Sequence, residues 1–433
     1  MLLKRHHTQS IQSKWKINYT FIIPTAAAAF ITYLSMYAFR KPFTAATFDN
    51  LFLWGVPYKI FLILAQLIGY TLSKYLGIKF IAELEVFNRV KFLLLLMGFA
   101  LLTLFLFGIT GYPYNVLFML LNGLPLGMIW GVVFSFLEGR RTTELLGAIM
   151  ASSFIISSGL VKSTGSWLLL TGNTGEMWMP FLTAVIYLPV LLIGISLLKR
   201  INPPDESDML SRTPRYPMNK ADRKFFYKTF APGIVLSVLL YVALTIFRDL
   251  RDNFAVEFWQ AMGLGKIPSI LTFSELPTAF IVLAVIASMI AIRNNRYAFY
   301  GSLFISLLSG FFLVLITWMF NIEFLSGIVW MVLSGALMYM PYIAYHTLYF
   351  ERWIAYFKFK GNAGFLMYTA DSAGYLGSTL ILIFKSFATP DLSWIVFLKT
   401  AAVVVGLAVF ILSAMAIVYF RKLEAENLQI NKS

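Results

Sequence analysis

Apolar residues fill most of this chain in long uninterrupted blocks, and short polar segments separate one block from the next. An α-helix rises 1.5 Å per residue, so about 20 apolar residues are enough to cross the roughly 30 Å hydrocarbon core of a membrane. The pattern therefore predicts an all-α membrane protein with twelve transmembrane helices. The predicted spans are 17–48, 56–77, 91–110, 115–137, 145–170, 178–198, 228–258, 268–292, 298–319, 324–350, 362–386 and 393–420.

The longest polar break is rich in proline and charge, and it separates the first six spans from the last six. It divides the chain into an N-terminal six-helix bundle at 1–199, a cytoplasmic linker at 200–225 and a C-terminal six-helix bundle at 226–433. Most lysines and arginines lie in the N-terminus and in every second connection. The positive-inside rule then predicts that both termini are cytoplasmic, in an inner or plasma membrane.

A short motif occurs in the first helix of each predicted bundle. The matched pairs, each 208 positions apart, are Tyr33 with Tyr241, Phe39 with Phe247 and Arg40 with Arg248. Parallel repeats related by an axis along the membrane normal are the architecture of major facilitator transporters. The sequence therefore predicts two pseudo-symmetric halves, each with an arginine at the same height.

Composition agrees with the membrane assignment and excludes several functions. Of the 433 residues, 59% are hydrophobic and 13% charged, whereas soluble domains are about half apolar and a quarter charged. The net charge of +15 lies mostly in short loops, so no nucleic-acid partner is predicted. The chain has no cysteine and none of the common catalytic or phosphate-loop motifs. We therefore expect no enzyme activity, no cofactor and no metal site.

Arg40 and Arg248 are the leading candidates for binding. A charge at the bilayer centre costs about 3 kcal/mol on insertion scales, and apolar sequence continues beyond both arginines, which predicts that both lie deep. Two guanidinium groups facing a central aqueous cavity match the oxygens of an anion in bidentate fashion. Two alternatives stay open. Both side chains can be interfacial anchors, and Arg248 can form a structural salt bridge with Asp249 or Asp252.

Four helices carry short motifs that point to one family. The residues are Tyr33, Tyr37, Arg40, Lys41 and Phe43 in the first helix, Ser73 and Lys74 in the second, Arg248 in the seventh, and Gly374 to Gly377 in the eleventh. They resemble the organophosphate:phosphate antiporters of the major facilitator superfamily. The chain departs from that family in the fifth helix, where Ile155, Ile156 and Ser157 replace a functional histidine. It also lacks the Asp-Arg pair after the second helix.

The resemblance implies a secondary active transporter that moves a small organic anion, an organophosphate or phosphate, by alternating access. Arg40 and Arg248 are expected to clamp the anionic group. The residues expected to complete its hydrogen bonds are Lys74, Tyr33, Tyr37 and Tyr241. Lys74 has a simpler alternative as a cation at the cytoplasmic end of its helix.

Three further charges are candidates for coupling or charge balance. Asp371 is the clearest acid inside a span, and a carboxylate at that depth pairs, protonates or relays an ion. Lys162, in the symmetry-related fifth span, is its expected partner. Glu275 stands where the first half has Gln66, and it can balance Arg248 or carry a proton. The remaining outer cations, Lys59, Lys266, Lys385 and Lys399, are expected to snorkel to the interface.

The expected partners are thus a small anionic solute, phosphate or protons as counter-substrate, and the lipid bilayer, with the chain as a monomer. Two other functions fit the same sequence. One is a proton-coupled symporter or exporter of a non-phosphorylated solute. The other is a membrane receptor that binds a solute without transporting it.

Overall fold

The computed structural model describes residues 19–82, 88–138, 140, 142–172, 174–204, 208, 220–357, 363–388 and 392–430. The α-helices are α1 (Tyr19–Tyr37), α2 (Tyr58–Ala82), α3 (Arg89–Thr110), α4 (Val116–Ser135), α5 (Thr143–Thr171), α6 (Met179–Lys199), α7 (Lys220–Asn253), α8 (Ala255–Ala261), α9 (Ile270–Ile290), α10 (Asn295–Asn321), α11 (Gly327–Ala344), α12 (Phe350–Tyr356), α13 (Ala363–Phe387) and α14 (Trp394–Ile430). A 3-10 turn spans Pro42–Ala45, and a π-helical turn at Tyr345–Tyr349 joins α11 to α12. Strands β1 (Phe52–Leu53) and β2 (Val56–Pro57) form an antiparallel hairpin before α2.

Twelve long helical segments account for the predicted membrane spans. Ten are long and apolar enough to cross a membrane: α1, α3 to α7, α9, α10, the joined α11–α12 segment and α14. The other two, α2 and α13, have 25 residues each and carry Lys74 and Asp371 among their apolar residues. The predicted all-α fold of twelve membrane helices in two six-helix halves is confirmed. Most of the predicted linker at 200–225 lies outside the described residues, so its bounds stay a prediction.

Helix packing follows the division into halves. In the first half, α2 packs on α4 and α1 packs on α5 and α6, while in the second half α7 packs on α13 and α14. The halves meet mainly where α5 contacts α9 and where α2 contacts α13. Large apolar side chains such as Leu95, Ile193 and Val418 are more than half exposed. Such a surface suits contact with lipid rather than water.

Close packing of α2 on α4 fixes the position of the polar face of α2. A Cβ atom on Gly123 would lie 2.3 Å from the carbonyl oxygen of Gln66, and one on Gly69 would lie 2.0 Å from that of Leu120. Only glycine permits this backbone approach. Gln66 Nε2 donates to the carbonyl oxygen of Arg40 at 2.9 Å. The α2–α4 contact therefore supports the segment that carries Arg40.

The first helix is shorter than its apolar sequence predicts. The predicted span 17–48 is wrong at its end, because α1 stops at Tyr37 and Arg40 lies in the turn that follows. Pro42 explains the difference, since proline has no N–H to donate to the carbonyl four residues earlier. The seventh helix does continue past Arg248, as far as Asn253. The two arginines thus occupy different backbone settings.

Candidate functional site

Two tyrosines, one from each half, form the middle of the candidate site. The rings of Tyr70 on α2 and Tyr375 on α13 are 5.2 Å apart, and both residues are buried. The guanidinium carbon of Arg40 lies 3.9 Å from the centre of the Tyr70 ring, and that of Arg248 lies 5.4 Å from the Tyr375 ring. Lys74 lies 4.6 Å from the Tyr375 ring. We call Arg40, Tyr70, Lys74, Arg248 and Tyr375 the central cluster.

Arg40 is a buried cation without an anionic partner among the described residues. The residue is 8% exposed, and its Nε atom has no hydrogen-bond partner there. Its guanidinium carbon lies near two aromatic rings, at 5.9 Å from the centre of Tyr37 and 3.9 Å from that of Tyr70. A buried charge normally requires a paired charge or hydrogen bonds. Among the described residues, no carboxylate balances the charge of Arg40.

Arg248 differs, because an acid neutralises it within the same helix. Its Nε and Nη2 atoms both donate to Asp249 Oδ1, at 3.0 and 2.7 Å, and its Nη1 atom contacts the hydroxyl of Tyr342. The salt bridge with Asp249, one of the alternatives that the sequence left open, is the arrangement observed. The second carboxylate oxygen of Asp249 has no hydrogen-bond partner among the described residues.

Lys74 and Asp371 form an ion pair that joins the two halves. Lys74 Nζ contacts Asp371 Oδ2, while the Tyr241 hydroxyl donates to Asp371 Oδ1 at 2.6 Å. His346 Nε2 is 3.6 Å from the same Oδ1 atom. His346 belongs to the π-helical turn, a distortion that often marks functional positions in helices. The structure thus brings Lys74, Tyr241 and Asp371 together beside Tyr375.

The expected pairing of Lys162 with Asp371 is wrong. Lys162 Nζ instead contacts Asp252 Oδ1 at 2.7 Å, and Lys41 pairs with Asp252 Oδ2. The reason is the packing of the helices: α13 lies against α2, so Lys74 occupies Asp371, whereas α5 brings Lys162 to the end of α7. Asp252 therefore balances two lysines and leaves one positive charge in excess.

Two other buried ion pairs were not predicted in this form. Glu275 contacts Arg251 at 2.7 Å, so it balances that arginine and not Arg248. Lys59 does not snorkel: it is 2% exposed, and it contacts Glu257 at 2.5 Å. The sequence held a partial signal for both pairs, because Lys59 and Arg251 lie inside the predicted spans 56–77 and 228–258, although nothing indicated which acid each one binds.

The predicted tyrosines of the first helix lie on the Arg40 side of the central cluster. Tyr33 contacts the rings of Tyr37 and Trp130, with centroid distances of 5.6 and 5.1 Å. Tyr33, Tyr37 and Tyr241 are all buried. The expected aqueous cavity is therefore filled by packed aromatic side chains at these residues. Arg40 itself is buried behind these side chains.

Ion pairs join the halves at both ends of the bundle. At the end that carries the β-hairpin, Lys41 and Lys162 bind Asp252, and Lys59 binds Glu257. At the opposite end, Glu144 on α5 contacts Arg352 on α12 at 2.9 Å. The described residues hold no group of three or more histidine, aspartate or glutamate side chains arranged for a metal ion. The central cluster therefore lies between two sets of ion pairs that join the halves.

Comparisons with known proteins agree with this fold. The family described as "Family of unknown function (DUF5690)" matches residues 42–423. A crystal structure of the nucleoside transporter NupG has 13% sequence identity and a TM-score of 0.60, covering 93% of this chain and 99% of its own. A bacterial homologue of the human peptide transporters PepT1 and PepT2 has 11% identity and a TM-score of 0.62, with 93% and 98% covered. The POT family transporter PepTSo gives 12% identity and a TM-score of 0.57, with 94% of this chain and 98% of its own covered. No curated protein is similar enough in sequence to count as a relative.

Proposed function

The chain belongs to the DUF5690 family, a family of unknown function, and we propose that it is a secondary active transporter for a small organic anion. Its fold is that of solved nucleoside and peptide transporters. In our proposal the halves rock about the central cluster, so that Arg40 faces one side of the membrane and then the other. The anionic group of the solute binds Arg40, and the remainder lies against the tyrosines.

The observation that carries this proposal is the unpaired charge of Arg40. We count Arg40 together with the ion pairs described above. The basic groups of this set are Arg40, Lys41, Lys59, Lys74, Lys162, Arg248 and Arg251, and the acidic ones are Asp249, Asp252, Glu257, Glu275 and Asp371. Within this set the cations exceed the carboxylates by two. A planar guanidinium offers paired N–H donors that match phosphate or carboxylate oxygens. An anionic solute would offset the excess charge.

An organophosphate or phosphate is the first solute to test, because the motifs around Arg40, Lys74, Arg248 and Gly374 resemble those of the phosphate-exchanging antiporters. A specific observation also favours the second candidate, a proton-coupled transporter of a non-phosphorylated solute. Asp249 neutralises Arg248, which leaves a single free guanidinium in the central cluster. One guanidinium suits a carboxylate as well as it suits a phosphate.

A thermal-shift screen of the purified protein separates these candidates. The panel is inorganic phosphate, glycerol 3-phosphate, glucose 6-phosphate, succinate, a dipeptide and uridine. A ligand at about 100 times its Kd stabilises a protein by about 2.7 kcal/mol, which gives a clear rise in Tm. Stabilisation by phosphorylated compounds alone supports the organophosphate. Stabilisation by succinate or the dipeptide supports the second candidate, and stabilisation by uridine alone contradicts the anion proposal.

Two variants make the screen specific to the proposed site. Arg40→Gln removes the free guanidinium, and we expect it to lose the anion-induced shift. Arg296→Lys is the matched control, because Arg296 is half exposed and pairs with Glu424 on the surface, far from the central cluster. It should keep the full shift. Uptake of the stabilising anion into proteoliposomes then distinguishes a transporter from a receptor, since a receptor binds without flux.

A further inference from the structure

We propose that Asp249 is the proton-binding group of this protein, and that a proton on its free oxygen releases Arg248 to bind the anion beside Arg40. This inference rests on the proposed function, and it assigns the coupling ion and the residue that holds it. The sequence had pointed to Asp371 and Glu275 for coupling. The geometry around Asp249 points to a different carboxylate.

The two oxygens of Asp249 have different environments. Two N–H groups of Arg248 converge on Oδ1, and Oδ2 has no hydrogen-bond partner among the described residues. The residue is 9% exposed. It also lines a small cavity of about 10 Å³ between α2, α7 and α13, which is near the volume that one water molecule needs. One oxygen therefore holds the arginine, and in our proposal the other takes up a proton from a water molecule in this cavity.

The other buried carboxylates lack this combination. Both oxygens of Asp371 and both oxygens of Asp252 have partners. Glu257 and Glu275 each have one oxygen without a hydrogen bond, but their partners are Lys59 and Arg251, which lie outside the central cluster. Asp249 is bound to an arginine of the cluster itself. Its protonation state therefore acts directly on the charge that faces the solute.

The cavity suits a proton and not a metal cation. Its polar lining consists of Asp249, Asn253 and Ser378, and the rest of its wall is apolar. Asn253 Oδ1 already accepts from Lys41 at 2.7 Å, and Ser378 donates to the carbonyl oxygen of Thr245. A hard metal cation takes several oxygen ligands, and the nearby Lys41 ammonium repels it. A proton needs only the free oxygen and one water.

Charged and titratable groups near Asp249 come from several elements that pack around it. On α7 itself these are Arg248 and Asp252, and the segment after α1 contributes Lys41 through Asn253. Tyr342 of α11 and Tyr375 of α13 contact Arg248. The residues that α2 contributes to the cavity, Ile63 and Leu67, do not titrate. Arg248 is thus the charge that a proton on Asp249 would affect first.

The coupled step balances in charge and atoms. A hydronium ion from one side transfers its proton through the cavity water to Oδ2, and an O–H bond forms on Asp249. The carboxyl is then neutral, so the Arg248 guanidinium loses its counter-charge and attracts the anion. After the halves reverse, the anion leaves and the proton returns to water on the other side. Binding of each ligand favours the other by the same factor, as linkage requires.

The test is the pH dependence of sulfate binding, measured by calorimetry on the purified full chain. Sulfate has the oxygen geometry of phosphate and stays a dianion from about pH 5 to about pH 8, so the probe itself does not titrate. We expect the affinity of the wild type to rise as the pH falls, by up to about tenfold per pH unit, the limit for uptake of one proton per anion. Asp249→Asn should bind sulfate with no pH dependence, at least as tightly as the wild type does at the lowest pH.

Two further variants and one further readout complete the test. Asp249→Glu keeps a titratable carboxyl and should keep the slope. Glu257→Gln removes another carboxyl that has one oxygen without a hydrogen bond among the described residues, and it should also keep the pH dependence of sulfate affinity. Sulfate added to weakly buffered wild type should take up about one proton per bound anion, so the proposal is tested even if Asp249→Asn does not fold.

Three results would overturn the coupling role of Asp249 and leave the proposed anion transporter intact. They are a sulfate affinity of the wild type that does not change with pH, an unchanged pH dependence in Asp249→Asn, and sulfate binding without proton uptake. Absence of sulfate binding in every variant at every pH would count against the anion site itself, and the proton inference would fall with it.

Discussion

The two halves of this molecule place an arginine at matched positions and give it opposite neighbours. Lys41 follows Arg40, whereas Asp249 follows Arg248. Arg40 lies in a turn against aromatic rings, and Arg248 lies within a helix and is bound to its neighbouring carboxylate. The repeat therefore preserves the location of a cation but not its charge balance. Among the described residues, the guanidinium of the first half has no carboxylate partner, whereas that of the second half is paired with an acid.

The extra cation of the first half also changes how the halves join. Lys41 has no acid in its own half among its described contacts, and it pairs with Asp252 of the second half. Lys162 shares the same carboxylate. One acid thus holds two lysines across the interface. The cation that follows Arg40 therefore takes part in the contact between the halves at the hairpin end of the bundle.

Removal of that shared acid should have the largest effect. Asp252→Asn leaves Lys41 and Lys162 buried without a counter-charge, and breaking a buried pair in this way costs about 3 kcal/mol or more. We expect a strong fall in Tm in detergent. The exposed Asp49→Asn serves as the control, with a change within about 0.5 kcal/mol. Equal Tm values for the two variants would mean that the Asp252 pairs do not hold the halves together.

Replacement of each arginine by lysine sharpens the comparison of the two settings. At about pH 8, Arg40→Lys should weaken sulfate binding by about tenfold or more, because an ammonium lacks the planar fork that charge-assisted bonds to an oxyanion use. Arg248→Lys should have a smaller effect at that pH, since Asp249 already occupies the guanidinium. Calorimetry on both variants measures the difference. Equal losses would show that both arginines contact the anion even when Asp249 is charged.

The aromatic contacts should give the smallest effect. Tyr70→Leu removes the ring that lies 3.9 Å from the Arg40 guanidinium, and a cation–π contact contributes about 0.5 to 2 kcal/mol. Tyr70→Phe keeps the ring and loses only the hydroxyl that interacts with Tyr375, so it should cost less than Tyr70→Leu. Tyr375→Leu, at the longer distance from Arg248, should cost less than Tyr70→Leu. Chemical denaturation in detergent would rank the three variants by their loss in free energy of unfolding. A larger loss for Tyr375→Leu than for Tyr70→Leu would mean that the Tyr375 ring, and not the Tyr70 ring, makes the stronger contact.

Hydropathy predicted the fold well because a membrane span requires a long apolar run, whatever its partners are. The repeat around Tyr33 and Tyr241 likewise predicted that one arginine from each half lies near the centre. The end of α1 was missed because the apolar residues after Arg40 conceal the effect of Pro42 on the helix.

Which acid pairs with which base could not be predicted from the sequence, for a different reason. Lys74 and Asp371 are 297 residues apart, and Lys59 and Glu257 are 198 residues apart. Their contacts depend on how α2 packs against the second half, which no local pattern encodes. Lys162 illustrates the consequence, since symmetry suggested Asp371 as its partner and the packing of α5 supplied Asp252.

The most direct test of the central claim is counterflow in proteoliposomes loaded with the anion that stabilises the purified protein. The account predicts that the wild type exchanges labelled external anion for unlabelled internal anion, and that Arg40→Lys, with the charge kept, does not. Near-normal exchange by Arg40→Lys would contradict the assignment of Arg40 as the binding group for the anion.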